Sequence, residues 1–327
     1  MPVGLVENLD SHVDTLDVQS LRVIRAIADH GSVTRAAHVL GFSQPAISQQ
    51  LKKIEARLGI AVVHKVGRSL RLTEAGEVLA RYAVTVNSAL RAASDELSDL
   101  AGTRRGSVAL SAFPTASSTI VPALLGQLGR RYPGILVNFR EAEPPEAIGQ
   151  LYDGVVDLAI TFAYAGDRAD PHLTYGAALT TIPLWTDEMV LVLPESHPLA
   201  GQTSVDVGDL APEKWIAGCP LCRGNLLSVC ALAGFEPTIT HETDNTPAVM
   251  ALVGAGLGVA LIPRLALAGS LAPQGVSIVR TTDEHHRTIN LVALADYARV
   301  PSNLVIARML GDMPGAPWHL SNVAGGQ

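Results

Sequence analysis

Between Gly76 and Gly102 the chain carries neither glycine nor proline, and its apolar residues return at alternating steps of four and three: Leu79, Ala83, Val86, Leu90, Ala93, Leu97 and Leu100. A period of 3.5 held over three heptads predicts one long helix over 75–103 with a single apolar seam. Such a seam has to be covered. Either two copies of the chain pair along it or the helix packs on its own protein, and the strictness of the period favours pairing, as a homodimer. The helix also divides the chain into a short segment before it and more than two hundred residues after it.

Charge divides at the same place. The 327 residues sum to −7. Residues 1–15 form an acidic tail with three acids and no Lys or Arg, whereas residues 16–74 hold nine basic residues against four acids. Residues 106–327 hold eleven basic residues against twenty acids. A small basic module tied to a large acidic one fits a nucleic-acid reader with a second task attached; a chance excess on a solvated face is the plainer reading. With 48% hydrophobic and 17% charged residues the chain can bury sizeable cores, which excludes a largely disordered protein. The N-terminus is polar and acidic, unlike a secretory leader, and the apolar stretch 251–263 is too short and glycine-rich to span a bilayer. The expectation is a cytoplasmic protein with no membrane partner.

Within 16–74 the apolar periodicity predicts three short helices. The first, over 17–30, is capped by Asp17 and ended by Gly31; the second starts at Ser32; Gly41 and Phe42 turn the chain into a third that starts at Ser43 and ends at Gly59. Ile47, Leu51, Ile54 and Leu58 form the core stripe of the third helix. At 100° per residue, Pro45, Ser48, Gln49 and Lys52 lie opposite that stripe, with Gln44 at the N-terminal end. Two β-prone runs flanking Gly67 then read as a hairpin. Three helices with a tight turn between the last two, then a hairpin, describe a winged helix-turn-helix. Its exposed face holds Gln and Ser, which donate and accept at base edges, and Lys, which suits phosphate.

From Gly106 strands and helices alternate, which predicts an α/β domain with mostly parallel sheets. A break near 165–185 suggests two lobes with a cleft: lobe I over 106–180 and 283–315, lobe II over 181–282. Residues 316–327 read as a loose tail. Thr115, Ser117 and Ser118 open one helix and Asn245 and Thr246 another. Helix starts present free N–H groups that suit a carboxylate or another anion, although Ser, Thr and Asn are also ordinary caps that bind nothing. Thr161, ending a strand, and Cys219 are the further candidates for effector contact.

Residues 31–83 match a family pattern: Gly31-Ser32, Ala36-Ala37, Ser43-Gln44-Pro45-Ala46-Ile47-Ser48, Glu55, Leu58-Gly59 and Leu72-Thr73-Glu74-Ala75-Gly76. In these the chain resembles the LysR-type transcriptional regulators. The order downstream, with Gly254-Ala255-Gly256-Leu257-Gly258 late, extends the likeness to nearly the whole chain. At 61–65 the chain reads Ala-Val-Val-His-Lys where the family commonly has Leu-Phe and a basic residue. The resemblance implies a homodimer or homotetramer that binds promoter DNA, responds to a small molecule in the cleft, and contacts RNA polymerase if it activates. It places Gln44, Pro45, Ser48 and Gln49 in the major groove. Gln49 stands where the family often has Arg, and Gln suits adenine better than guanine. It places Lys65 and Arg68 in the wing against backbone or minor groove, and Thr34, Lys52 and Arg71 on phosphates. It marks Thr115 as an effector contact, and Pro144 as a position where the family often carries a hydroxyl.

Cys219, Cys222 and Cys230 leave three readings open: packing residues beside the cleft, oxidation sensors, or metal ligands with His241. The resemblance sets Cys230 against a redox cysteine of the family's peroxide-sensing branch. The second such cysteine falls at Leu221. Gly254, Gly256 and Gly258 follow a helix and precede a strand, the reverse of a dinucleotide-binding order. No nucleophile, base and orienter come together, so neither enzyme activity nor a cofactor is expected, and no metal. The competing reading from another class is a two-lobed small-molecule binding protein without a role in transcription.

Overall fold

The computed structural model describes residues 16–66, 69–100, 106–167, 170–172, 179–269, 274–295, 298 and 300–323. Helices α1 (Val18–His30), α2 (Val33–Leu40) and α3 (Gln44–Leu58) each begin at a side-chain cap: Asp17, Ser32 and Ser43 accept from the backbone N–H three residues on. Gly41, with φ of 71°, makes the left-handed turn that lets α3 leave α2 sharply. Strands β1 (Val63–Val66) and β2 (Ser69–Leu72) pair antiparallel as the wing. Glu55, the acid on α3, is half-buried and turned to the backbone of the wing. Its Oε1 accepts from the N–H groups of Val62 at 3.0 Å and Val63 at 3.4 Å and so fixes where the wing starts.

Helix α4 (Glu74–Leu100) starts where the Thr73 hydroxyl accepts from Gly76 N–H and donates to the Ala61 carbonyl. A Cβ on Gly76 would lie 2.1 Å from the Val62 carbonyl oxygen, so this turn requires glycine. The first part of the apolar seam is covered within the chain. Leu79 and Ala83 are buried in one core with Leu21, Ile24 and Ile27 of α1, and Val86 packs against it. This corrects the expectation that the whole seam serves a partner. Leu90 and Ala93 are exposed, and the side chains of Leu97 and Leu100 lie outside the described residues.

The rest is two α/β halves sharing one strand. In the first, β3 (Gly106–Ala112) runs parallel to β4 (Ile135–Glu141) and β5 (Leu158–Tyr164), with α5 (Pro114–Ser118), α6 (Ile120–Arg131) and α7 (Pro144–Tyr152) between strands. Strand β6 (Leu179–Pro194) crosses both halves. The second half has β7 (Ser204–Val205), β8 (Lys214–Ala217), α8 (Pro220–Leu232), β9 (Thr238–Glu242), α9 (Thr246–Gly254), β10 (Val259–Pro263), α10 (Leu265–Ala268) and β11 (Val276–Thr281). The chain returns through β12 (His286–Leu294), α11 (Pro301–Asp312) and β13 (Ser321–Asn322).

Three sequence expectations are corrected here. The sheets are mixed, because β6 runs antiparallel to β10, β11 and β12, and β12 runs antiparallel to β5. One crossing strand that serves both halves cannot run with the βα units of each. The changeover in β6 lies between Glu188, the last residue paired with β12, and Met189, the first paired with β10, not at 180/181. The tail is docked as far as residue 323: β13 pairs with β6, Leu320 is buried, and Trp318 stacks edge-on against Trp185 at 6.1 Å. Arg25 of α1 reaches Asp153, at the end of α7, at 2.8 Å, so an ion pair joins the N-terminal module to the first half.

Candidate nucleic-acid interface and ligand cleft

On α3 the buried stripe is Ile47, Leu51 and Ile54. Ser43, Gln44, Pro45, Gln49 and Lys52 are exposed on the other side, and Ser48 is half-buried. The Gln44 amide donates to the Ser48 hydroxyl at 3.1 Å, which fixes one hydrogen-bonding edge at the helix start. Thr34 on α2 and Arg71 on β2 are exposed as well. Arg68 and the side chain of Lys65 lie outside the described residues. Pro45 occupies the first turn of the helix, where its missing N–H leaves no broken bond. The exposed side is therefore a rigid surface of amide, hydroxyl and ammonium groups of a kind that reads duplex DNA.

The cleft lies where the two halves meet. It holds about 560 Å³ of open space, counted to its mouth. Phe113, Phe162, Val249, Leu261 and Ile262 give it an apolar wall; Thr115, Glu143, Asp244, Thr246 and Arg287 add polar groups. Arg287 organises its floor. In register it faces Tyr164 of β5 on one side and Asp187 of β6 on the other. Its side chain is 2% exposed, bonded to Asp187 at 2.9 Å and to the Thr115 hydroxyl at 3.2 Å. The guanidinium carbon lies 4.3 Å from the Phe162 ring centroid and 4.9 Å from that of Phe113. Burial is the strongest single influence and works against its charge, but Asp187, Tyr164 and Cys222 together outweigh it and Arg287 stays cationic. Asp187 in turn accepts from Leu265 N–H at 2.9 Å. Burial pushes the Glu143 carboxyl up, the Arg287 charge opposing it, and Glu143 Oε2 is a buried oxygen with no hydrogen-bond partner.

Of the sequence-derived effector residues, the structure brings Thr115, Cys219 and Thr246 to the cleft. The others are used differently. Ser117 donates to the Ala112 and Phe113 carbonyls, and Ser118 donates to the Thr115 carbonyl beside Gly269. Asn245 caps α9 through Ala248 N–H. Thr161 is fully buried and bonded to His172, which is paired with Asp170. These hydroxyls and amides are consumed by local backbone and side-chain bonds, which is what caps ordinarily do. Arg287, Glu143 and Asp244 were not anticipated. The available signal was charge inside apolar strands, Asp187 beside Glu188 in β6 and Arg287 in β12, since a charge buried there needs a partner.

Helix α8 begins at Pro220, so Cys219 stands at the position just before it and Cys222 sits in its first turn. The Cys219 thiol donates to Cys222 Sγ at 3.0 Å, and Tyr164 Oη donates to the same sulfur at 3.6 Å. The hydrogen bond from Cys219 is the main reason Cys222 is lowered to about 7; burial opposes it, and Arg287 and Tyr164 assist. Cys219 is raised correspondingly, and burial raises Cys230 to about 11. Among the described residues no group of three or more His, Cys, Asp and Glu is placed to hold a metal ion, and no helix is long and apolar enough to cross a membrane.

A helix-turn-helix module joined by a long helix to a two-lobed α/β domain with a lined cleft defines a ligand-binding DNA-binding protein. Comparison with known proteins gives the family. The model of the bacterial regulatory helix-turn-helix protein, lysR family, matches residues 18–77, and that of the LysR substrate binding domain matches residues 101–312. A protein described as a probable RuBisCO transcriptional regulator of Cyanophora paradoxa is 31% identical over 78% of this chain and 78% of its own. The DNA-binding transcriptional dual regulator OxyR of Escherichia coli is 26% identical over 85% of this chain and 89% of its own. Among solved structures, a cysteine-to-aspartate variant of full-length OxyR from Pseudomonas aeruginosa shares the fold with a TM-score of 0.70 at 22% identity, over 90% of this chain and 94% of that one. CbnR complexed with its target DNA does so with a TM-score of 0.57 at 19% identity, over 90% and 98%. The chain belongs to the LysR family of transcriptional regulators.

Proposed function

We propose that the chain binds promoter DNA as a dimer or higher assembly, with Gln44, Pro45, Ser48 and Gln49 at base edges and Thr34, Lys52, Lys65, Arg68 and Arg71 on the backbone. The ligand that controls it is a small, largely apolar molecule carrying a hydroxyl or amine. The expected carboxylate fits less well. Arg287 is already matched by Asp187, while Glu143 and Asp244 add negative charge to the lining. The observation that carries this reading is the unpaired Glu143 Oε2, buried at the side of an apolar cleft, because a buried acceptor without a donor costs free energy that a ligand hydroxyl or ammonium recovers.

Thermal unfolding of the full chain in a panel of apolar alcohols, amines and matched carboxylates tests it. At a hundred times its Kd a bound ligand adds about 2.7 kcal/mol to stability. Members of the alcohol or amine set should raise Tm, with the shift lost in Glu143→Ala. Shifts confined to carboxylates, and unchanged in that variant, would overturn the ligand class.

A further inference from the structure

The two cysteines at the start of α8 have a geometry that a ligand held by Glu143 does not use. Strand β8 ends at Ala217, and Cys219 stands just before the helix. The Cys219 carbonyl accepts from Arg223 N–H at 2.8 Å, so one helical turn holds Cys219 and Cys222, with their sulfurs 3.0 Å apart. A Cβ on Gly218 would stand 3.1 Å from Cys222 Cβ, so glycine there leaves the second thiol its room. Both thiols line the cleft beside Phe113, Phe162 and Leu261. Cys230, by contrast, is fully buried further along the helix and lines no part of the cleft.

The spacing selects the kind of centre that two thiolates can share. With bonds of about 2.3 Å, as thiolates make to zinc, the sulfurs stand about 4.6 Å apart on a linear centre, about 3.8 Å on a tetrahedral one and about 3.3 Å on one whose bonds meet near a right angle. The observed 3.0 Å is closest to the last. Bonds near a right angle belong to a pyramidal main-group centre with a lone pair, such as trivalent arsenic, which is also soft enough to prefer sulfur. Such a centre has three valences. Among the described residues no group of three or more His, Cys, Asp and Glu is placed to hold an ion, so the protein fills two valences and the ligand brings the third substituent with it. The wall of Phe113, Phe162 and Leu261 suits an aryl or alkyl group in that place.

We propose that Cys219 and Cys222 chelate an organic trivalent arsenical, R–As(OH)2, in the cleft. The Cys222 sulfur forms a bond to arsenic and one As–O bond breaks; the departing hydroxide takes the thiol proton and leaves as water. Cys219 repeats the exchange at the same arsenic and closes a ring. Two thiols and one dihydroxyarsine thus become one dithioarsine and two waters, with no change of oxidation state. Tyr164 belongs to the first half of the domain and Cys222 to the second, so their hydrogen bond crosses the cleft and the captured group sits where the halves meet. The inference stands apart from the proposed alcohol or amine ligand, whose contact is Glu143: failure of the thermal-shift panel leaves the chelate intact, and failure of the chelate leaves the ligand reading intact.

Reduced full-length protein, freed of reductant, is mixed with phenylarsine oxide, arsenite or phenylarsonic acid, and its intact mass and the alkylation of each cysteine are read. With phenylarsine oxide the expected result is a gain of about 150 Da per chain, one phenylarsenic group in place of two thiol protons. Cys219 and Cys222 should then resist N-ethylmaleimide, while Cys230 is still alkylated after unfolding. The dithiol 2,3-dimercaptopropanol should strip the group, and the same amount of thiol as a monothiol should not. Cys219→Ser and Cys222→Ser should each weaken retention about a hundredfold or more, because the second bond no longer forms within one molecule, and Cys230→Ser should not. Arsenite lacks the organic group and should bind about tenfold or more weaker, and pentavalent phenylarsonic acid should not bind. Arsenite held as tightly as the phenyl compound, or zinc displacing that compound at equal concentration, would overturn the ligand class. A chain that gains no mass, arsenic that a monothiol removes as readily, or arsenic mapped to Cys230 would overturn the site. The wild-type arms decide this even if a variant fails to fold.

Discussion

Arg287 and Asp187 are a hundred residues apart in the chain and 2.9 Å apart in the fold, with both side chains out of water. Removing one member leaves the other as an uncompensated buried charge, which costs about 3–5 kcal/mol. Arg287→Met should lower unfolding stability in urea by that amount, and Asp187→Leu combined with Arg287→Met should restore much of it; a single variant within 1 kcal/mol or so of wild type would contradict the paired floor. Cys222 titrates on the other side of the same guanidinium. Below its value of about 7 it is a thiol and above it a thiolate, so its reactivity rises with pH through neutrality. Alkylation of Cys222 by iodoacetamide, followed by peptide mass, should speed up about tenfold between pH 6 and pH 8. A midpoint at the ordinary cysteine value of about 8.5 would show that its neighbours do not hold the thiolate.

At the scale of elements, α4 does two jobs in succession. Its first turns close the N-terminal core through Leu79 and Ala83, and its later turns present Leu90 and Ala93 to the outside. Leu79→Ala should therefore cost about 2–5 kcal/mol of folding stability, whereas Leu90→Glu should leave folding within about 0.5 kcal/mol and weaken self-association in sedimentation. Equal effects of both on folding would remove the outer seam as a pairing surface. The sequence shows the helix because its period is local, but the period does not say which protein covers each turn. Helices α1 to α3 were legible for the same local reason: caps, glycines and a four-three apolar stripe lie within a few residues of one another. The cleft floor was not. Arg287 meets Thr115 across 172 positions and Asp187 across 100, and only strand register brings them together. The hydroxyls that looked like ligand groups, Ser117 and Ser118, bond to carbonyls within five residues, a use that spacing does not separate from a binding role. The cysteine pair lay between these cases: its spacing was visible, but its approach to Tyr164 and Arg287 was not.

For the whole molecule, a basic reader of residues 16–74 is fixed to an acidic two-lobed domain of residues 106–327, with the Arg25–Asp153 ion pair as one tie. Asp153 ends the helix that starts next to Glu143, so α7 runs from the cleft to the DNA-binding module. The most direct measurement of the central claim is a fluorescence-anisotropy titration of the full chain against duplex DNA from upstream of its own reading frame, repeated across salt concentrations. If Lys52, Lys65, Arg68 and Arg71 of each chain in a dimer neutralise phosphates, the logarithm of affinity should fall against that of salt with a slope of about −7. Gln44→Ala and Gln49→Ala should abolish the preference for that segment over random duplex. Affinity that ignores salt, or a preference that survives both substitutions, would contradict a reader built on α3 and its wing.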